Sequence, residues 1–153
     1  YVNKHDLTSS LKLNINKNLY FKLKAFLFDT SVSGMIRKKE KINTDTLNNI
    51  LPKKKIIIDF IKIDTEGYDY EVLMGSLKTI NKFKPKFIQF EMNWHYLFSG
   101  ITIFRICEKL PNYYPFRLLP YNSGLIKVYH RHPNHNIFHL SNFIMIRKDI
   151  KFE

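Results

Sequence analysis

Two carboxylates, Asp64 and Glu66, stand on either side of one threonine and directly before Gly67. They follow a short run rich in Ile that has the composition of a strand buried on both faces. Carboxylates at the end of such a strand could accept a proton from a bound ligand. Ligand sites of open parallel sheets lie where the strands end, so these residues indicate a ligand site beyond the central strand.

Four more polar residues accompany the two carboxylates: Lys62, Glu91, Asn93 and His95. Lys62 lies on the central strand, and the others lie at or after the end of the next predicted strand, so we expect them on the same edge of the sheet. His95 has an ordinary pKa of about 6.5, which suits a proton acceptor, but it could equally be a packed loop histidine. Lys62 could keep a carboxylate ionised or extend along apolar surface.

The elements around these residues alternate between strand and helix. The central strand begins at Ile56, and apolar residues at helical spacing predict a helix over 69–82. A second strand follows at 87–91, then a loop at 93–96 and a helix at 99–110. This order favours an α/β fold with a parallel sheet and crossover helices.

The end of the chain predicts strands that no helix separates. Strand-like runs occur at 113–120, 125–129 and 143–147. Strands joined without a crossover pair in the antiparallel sense. We therefore predict an α/β fold with a mostly parallel sheet and an antiparallel hairpin at its carboxyl-terminal edge.

Length and composition favour one globular domain over residues 1–153. The chain is 44% hydrophobic and 15% aromatic, which supports a core and argues against disorder. Its net charge is +12, but the lysines are spread out and no aromatic-basic motif of a nucleic-acid reader occurs, so we expect no nucleic-acid partner. No apolar run is long enough to span a membrane, and we expect a cytoplasmic location.

Cysteine and histidine add little chemistry. Cys107 is the single cysteine and lies among apolar residues, which favours a buried thiol over a nucleophile. Four histidines fall between residues 130 and 139, but their spacing matches no strong zinc pattern and no cysteine assists them. We therefore expect no bound metal.

The central stretch resembles the motif of a known family. Residues 61–69 read IKIDTEGYD and residues 72–76 read VLMGS, which closely resembles the central motif IKIDVEGxExxVLxGA of FkbM-type methyltransferases. Residues 84–93 are similar to the next strand of that family, and residues 141–146 resemble its last strand. The resemblance implies a Rossmann-like class I methyltransferase sheet with an antiparallel last strand. It also implies S-adenosylmethionine as methyl donor and a hydroxyl of a sugar, glycan or secondary metabolite as acceptor.

Part of the family pattern does not occur in this sequence. Family members carry an upstream strand with a Gly-rich turn for the methionine part of the cofactor, whereas none of the five glycines here forms a G-x-G. We therefore expect the domain to lack its first strands. Asp29, at the end of a strand-like run over 24–29, is similar to a family acid near the adenine and is the second candidate cofactor-binding residue.

The resemblance also implies roles for the polar residues. Asp64 would lie nearest the reaction centre, as a catalytic and cofactor-binding residue, and Glu66 would orient the substrate or the loop. The alternative for Glu66 is that its carboxylate caps the start of the next helix. The remaining roles are His95 as a catalytic proton acceptor, and Lys62, Glu91 and Asn93 as substrate-binding residues.

Three functions stay open on the sequence. The first is an O-methyltransferase. The second is a non-catalytic remnant that acts as a binding or interaction module, which the missing Gly-rich turn favours and the intact Asp64, Glu66 and Gly67 oppose. The third is a basic module at a nucleic-acid or membrane surface, for which steep salt dependence would be the sign.

Overall fold

A computed structural model describes residues 2–3, 26, 36–38, 45–51, 56–121, 123–136 and 139–151. Asp29 lies outside the described residues, so its predicted place beside the cofactor is not tested. Phe26, the described residue of the strand predicted at 24–29, is helical, so that prediction is wrong at this position.

The described strands and helices follow the chain in a mixed order. The strands are β1 (Val2–Asn3), β2 (Ile36–Lys38), β3 (Phe60–Lys62), β4 (Phe87–Met92), β5 (Tyr113–Leu118), β6 (Leu125–Lys127) and β7 (Ser141–Arg147). The helices are α1 (Leu47–Ile50), α2 (Asp69–Gly75), α3 (Leu77–Phe83), α4 (Trp94–Ser99) and α5 (Ile103–Lys109). β1 and β2 pair with each other in a small antiparallel sheet.

The main sheet has five strands in the order β3-β4-β7-β5-β6. β3 and β4 are parallel, with α2 and α3 as the crossover between them. β7 runs antiparallel to both β4 and β5. β3, β4 and β5 therefore point in one direction, and their carboxyl ends lie along one edge of the sheet.

The α/β class is confirmed, but two details of the predicted sheet are wrong. One of the four strand pairs in the described five-stranded sheet is parallel, so this sheet is mixed rather than mostly parallel. An antiparallel hairpin does form an edge, but it consists of β5 and β6. The last strand, β7, lies between β4 and β5, because strand order is set by which faces pack together and is independent of order along the chain.

The central strand is less buried than predicted. Phe60 on β3 is 47% exposed, and Ile57 just before it is 86% exposed. Among the described strands β3 pairs with β4 alone, so its outer edge has no described neighbour to cover it. The prediction of a strand buried on both faces is therefore wrong.

The helices differ from prediction in their ends. The helix predicted over 69–82 is broken at Ser76, whose Oγ donates to the Val72 carbonyl at 2.7 Å. The loop predicted at 93–96 is the first turn of α4, because Asn93 caps that helix. The next helix starts at Ile103 rather than at 99, because Gly100 ends α4 with a φ of 67°.

The core lies between the five-stranded sheet and the helices. Every second residue of β4 is buried, and the Phe90 ring on β4 stacks with that of Phe143 on β7 at 6.0 Å. Fully burying a side chain of this size contributes about 1.5–3 kcal/mol. Cys107 on α5 lies in the same core, as predicted, and burial raises the pKa of its thiol to about 12. The helices contribute five further large buried side chains: Leu73, Ile80, Tyr96, Ile103 and Ile106.

Candidate active site

The loop between β3 and α2 begins at Ile63, which a backbone hydrogen bond holds to β4. Ile63 is buried, and its N–H donates to the Gln89 carbonyl at 2.8 Å, so pairing with β4 continues one residue beyond β3. The chain then reverses at Glu66 and Gly67, which have φ values of 54° and 100°. Two consecutive residues in the left-handed region turn the backbone sharply into α2.

Gly67 is required by space as well as by φ. A Cβ at this position would lie 3.1 Å from Cγ of His95, closer than such atoms normally approach. The His95 ring is buried and also stacks with the Tyr68 ring, at 6.4 Å between centroids. The imidazole therefore supports the Glu66–Gly67 turn from the side of α4.

A buried carboxylate that sequence reasoning gave no role holds this loop to the sheet. Asp69, the first residue of α2, is 1% exposed. Its Oδ1 accepts the Thr65 N–H at 2.7 Å and the Thr65 hydroxyl at 2.5 Å, while Oδ2 accepts the N–H of Glu91 on β4 at 2.8 Å. The signal was present in the sequence, because Asp69 occupies the third acidic position of the family motif.

Asp64 lies on the open side of the same loop. Its carboxylate pairs with Lys62 at 2.9 Å, and the two side chains are 49% and 55% exposed. Lys62 donates a hydrogen bond to Asp64. This bond, together with the negative charges of Asp64, Glu91 and Asp69, raises the pKa of Lys62. Of the two alternatives left open for Lys62, the structure shows the pairing with a carboxylate.

The residues at the end of β4 form a chain of hydrogen bonds. Asn93 is buried; its Oδ1 accepts the His95 N–H at 2.9 Å, which caps α4, and its Nδ2 donates to Glu91 Oε1 at 3.1 Å. Glu66 does not serve as the N-cap of α2, since that position is occupied by Tyr68. Whether the Glu66 carboxylate favours the start of α2 through its charge stays a prediction.

Tyr96 is a second residue that sequence reasoning missed. Its hydroxyl accepts the Tyr70 N–H at 3.0 Å and so joins α4 to the first turn of α2. Burial, and in smaller part the negative charge of Asp69, raise the pKa of this phenol, so Tyr96 stays protonated. No sequence signal separates this tyrosine from the other eight.

The structure thus gathers most of the predicted residues at one edge of the sheet. We call the acids Asp64, Glu66, Asp69 and Glu91 the acidic rim. Asp64 presents its carboxylate to solvent, Glu66 and Glu91 are half-buried, and Asp69 is buried. In a chain with a net charge of +12, this rim is a local concentration of negative charge.

A further feature lies outside the acidic rim. An open groove of about 750 Å³ is lined by six residues, none of them predicted as a site residue. The groove residues are Thr102, Phe104, His130, Arg131, Pro133 and Asn136.

Within the described part of the chain, no three His, Cys, Asp or Glu side chains are grouped as metal ligands, and no helix is long and apolar enough to cross a membrane.

Comparison with known proteins identifies the family. The sequence model described as Methyltransferase FkbM domain matches residues 2–118. The chain therefore belongs to the FkbM methyltransferase family, as the resemblance indicated. The match includes β3, β4 and the acidic rim and ends at Leu118, so the last-strand resemblance at 141–146 lies outside it. Comparisons with curated proteins and with solved structures gave no match.

Proposed function

We propose that this protein transfers a methyl group from S-adenosylmethionine to a hydroxyl group of a sugar, glycan or secondary metabolite. The observation that supports this proposal is the acidic rim at the carboxyl ends of β3 and β4, in a chain that belongs to a methyltransferase family. We also infer that the five-stranded sheet belongs to the Rossmann-like class I type, since its last strand is antiparallel.

The acidic rim fits the charge of the proposed cofactor. S-adenosylmethionine carries a positively charged sulfur, and when bound it supplies the methyl group. Asp64 and Glu91 would attract that charge, and the exposed Asp64 carboxylate is the one that a ligand can reach directly. The same negative charge would disfavour an anionic ligand at this edge of the sheet.

Asp64 is our candidate for the proton acceptor. A hydroxyl that attacks a methyl carbon must lose its proton, and a positioned carboxylate accelerates such a step by about 10²–10⁴-fold. The Lys62 ammonium at 2.9 Å limits the directions in which the Asp64 carboxylate points. Glu66, on the left-handed turn, would orient the acceptor.

The residues after β4 are better suited to positioning than to chemistry. His95 is buried against Gly67, and both polar ends of Asn93 are engaged within the protein. We propose that these two residues fix the turn and hold Glu91, which would contact the acceptor together with Lys62. Holding reacting groups in place is itself a large part of catalysis.

The first test is cofactor binding by isothermal calorimetry, followed by methyl transfer from labelled S-adenosylmethionine to a panel of hydroxylated acceptors. Micromolar binding is the expected result. Binding that is absent at millimolar concentration would support the non-catalytic remnant instead.

The second test compares Asp64→Asn with a matched control. Asp59→Asn removes a carboxylate that pairs with Lys86, also at 2.9 Å and also about half exposed, at the other end of β3. Asp64→Asn should lower turnover by about 100-fold or more, while Asp59→Asn changes it by less than about two-fold. Equal turnover of the two variants would contradict the role of Asp64.

A further inference from the structure

The hairpin of β5 and β6 exposes four large apolar side chains on its two faces and its turn, which we call the hairpin tip. It consists of Leu118, Tyr121, Leu125 and Ile126, which are 41%, 97%, 39% and 43% exposed. Leu118 and Leu125 lie opposite each other in the strand register, so their side chains share one face. Tyr121 is in the turn and has a φ of 56°, a strained value for a residue with a side chain.

Two lysines lie behind the hairpin tip, and we call them the basic collar. Lys127 on β6 places its Nζ 4.8 Å from the centre of the Tyr114 ring and 6.0 Å from that of Tyr129. Lys148 places its Nζ 5.2 Å from the centre of the same Tyr114 ring. Lys127 is two residues from Leu125 on one face of the strand, which corresponds to about 7 Å.

The sequence around the hairpin is free of negative charge. Residues 109–148 contain six Lys and Arg, four His and no Asp or Glu. The acids of the chain lie elsewhere, and five of the thirteen fall between residues 64 and 91. Asp149, the next residue after 148, pairs with Arg147 at 2.6 Å, and the other basic residues of this stretch give the hairpin a net positive charge, which favours an anionic partner.

We propose that the hairpin tip docks this protein on an anionic lipid bilayer. An apolar segment that enters the headgroup region to about 5–10 Å matches the spacing between Leu125 and Lys127 on β6. Lysines and tyrosines at that depth lie where anionic headgroups and the interfacial aromatic belt of membrane proteins are found. The inference is independent of the proposed methyl transfer.

Two other occupants fit the observations less well. Nucleic acid would bind the basic collar but gains little from burying leucine and isoleucine, because its backbone contacts are made to phosphates. A second copy of this chain could cover the apolar side chains, but it would bring two stretches of residues 109–148 together, and both are positive. A bilayer satisfies the apolar tip and the positive charge together.

The test is sedimentation of the full chain with vesicles of phosphatidylcholine containing 30% phosphatidylserine, compared with vesicles of phosphatidylcholine alone. We expect binding to the anionic vesicles that weakens between 0.1 and 0.5 M salt. Leu118→Gln with Leu125→Gln should reduce the partition constant at least about ten-fold, because two aliphatic side chains lose their apolar contact. Lys127→Gln with Lys148→Gln should reduce it about thirty-fold on these vesicles.

Matched controls come from exposed residues elsewhere. Ile57→Gln alters an isoleucine that is 86% exposed and precedes β3. Lys82→Gln alters a lysine that lies 4.9 Å from the Phe83 ring centre, which reproduces the lysine–aromatic contact of Lys127. Both control variants should bind the vesicles within about two-fold of the parent, since neither belongs to the hairpin tip or the basic collar.

A fluorescent probe tests insertion without altering the core. Tyr121→Trp in a Trp94→Phe background places one indole at the hairpin tip, and its emission should shift to the blue and be quenched by brominated acyl chains. Failure of the parent chain to bind anionic vesicles would overturn the proposal. Vesicle binding that the tip substitutions leave unchanged would also overturn it, and would indicate a surface for polyanions. A dimer that the tip substitutions dissociate, in a chain that does not bind vesicles, would overturn it as well.

Discussion

Asp69 accepts the backbone N–H of Glu91 at 2.8 Å, across a separation of 22 residues. The other oxygen of the same carboxylate accepts both donors of Thr65. One buried side chain thus holds together the loop after β3, the start of α2 and the end of β4. The exposed Asp64 is therefore positioned by a carboxylate that faces the interior.

Asp69→Asn should destabilise the fold and distort the acidic rim. An amide offers one acceptor oxygen in place of two, and its NH₂ group would face a backbone N–H. Losing charge-assisted bonds and leaving a buried donor unpaired should lower the free energy of unfolding by about 2–4 kcal/mol. Urea unfolding measures this value. Glu71→Gln, on the exposed side of the same helix turn, should shift it by less than about 0.5 kcal/mol, and a similar effect of both substitutions would refute our account.

The close approach of Gly67 to His95 can be separated from the cost of a positive φ. Gly67 and Gly124 have φ values of 100° and 99°, but nothing lies within 4 Å of a Cβ placed on Gly124. Gly124→Ala should cost about 1–2 kcal/mol for its backbone alone. Gly67→Ala should lower the free energy of unfolding by about 1–3 kcal/mol more than Gly124→Ala does, because the imidazole of His95 must move. Equal losses of stability for the two variants in thermal unfolding would show that the His95 ring moves freely. Adding His95→Ala to Gly67→Ala should remove the difference between the two glycine variants.

Asn93 should act on α4 and Glu91 through different atoms. Asn93→Ala removes the helix cap and the donor to Glu91, and it should cost about 1–2 kcal/mol of unfolding free energy. Asn93→Asp keeps an acceptor for the His95 N–H but places a carboxylate beside that of Glu91. The two neighbouring carboxylates should therefore lower the free energy of unfolding even though the helix cap is kept. Thr102→Ala, which removes the weaker 3.3 Å cap of α5, serves as the comparison.

Cys107 should make stability depend on alkaline pH. Burial raises the pKa of this thiol to about 12, so above pH 9 the unfolded chain loses the proton while the folded protein keeps it. Because the unfolded state then binds fewer protons, the unfolding free energy falls as pH rises, by about 1.5–2 kcal/mol at pH 10 from this group. Cys107→Ala should show a shallower decline between pH 8 and pH 10 in chemical denaturation. Identical slopes for the parent and the variant would show that the thiol is exposed or already ionised.

The sequence predicted what local patterns can encode. The apolar runs around Ile61, Ile88 and Met145 located strands, and the carboxylates after β3 located the candidate site. The uninterrupted apolar run of β7 also agrees with its position inside the sheet. Such a run is typical of an interior strand, whereas an edge hairpin normally alternates.

The sequence could not predict what depends on distant partners. Asp69 looks like an ordinary residue of a first helical turn until β4 brings the Glu91 N–H to it. Nothing in the sequence indicates that the Gly67 turn packs against the ring of His95. The insertion of β7 likewise depends on distant partners, because β7 pairs with both β4 and β5.

That insertion has a consequence for biosynthesis. β4 and β5 do not pair with each other, and residues 141–147 join them, so the sheet cannot form as one unit until those residues have left the ribosome. Until then the nascent chain holds two separate strand groups, each with an unpaired edge open to wrong partners. A premature stop before Ser141 would keep all four acids of the acidic rim in the chain, yet it would leave the two halves of the sheet unjoined.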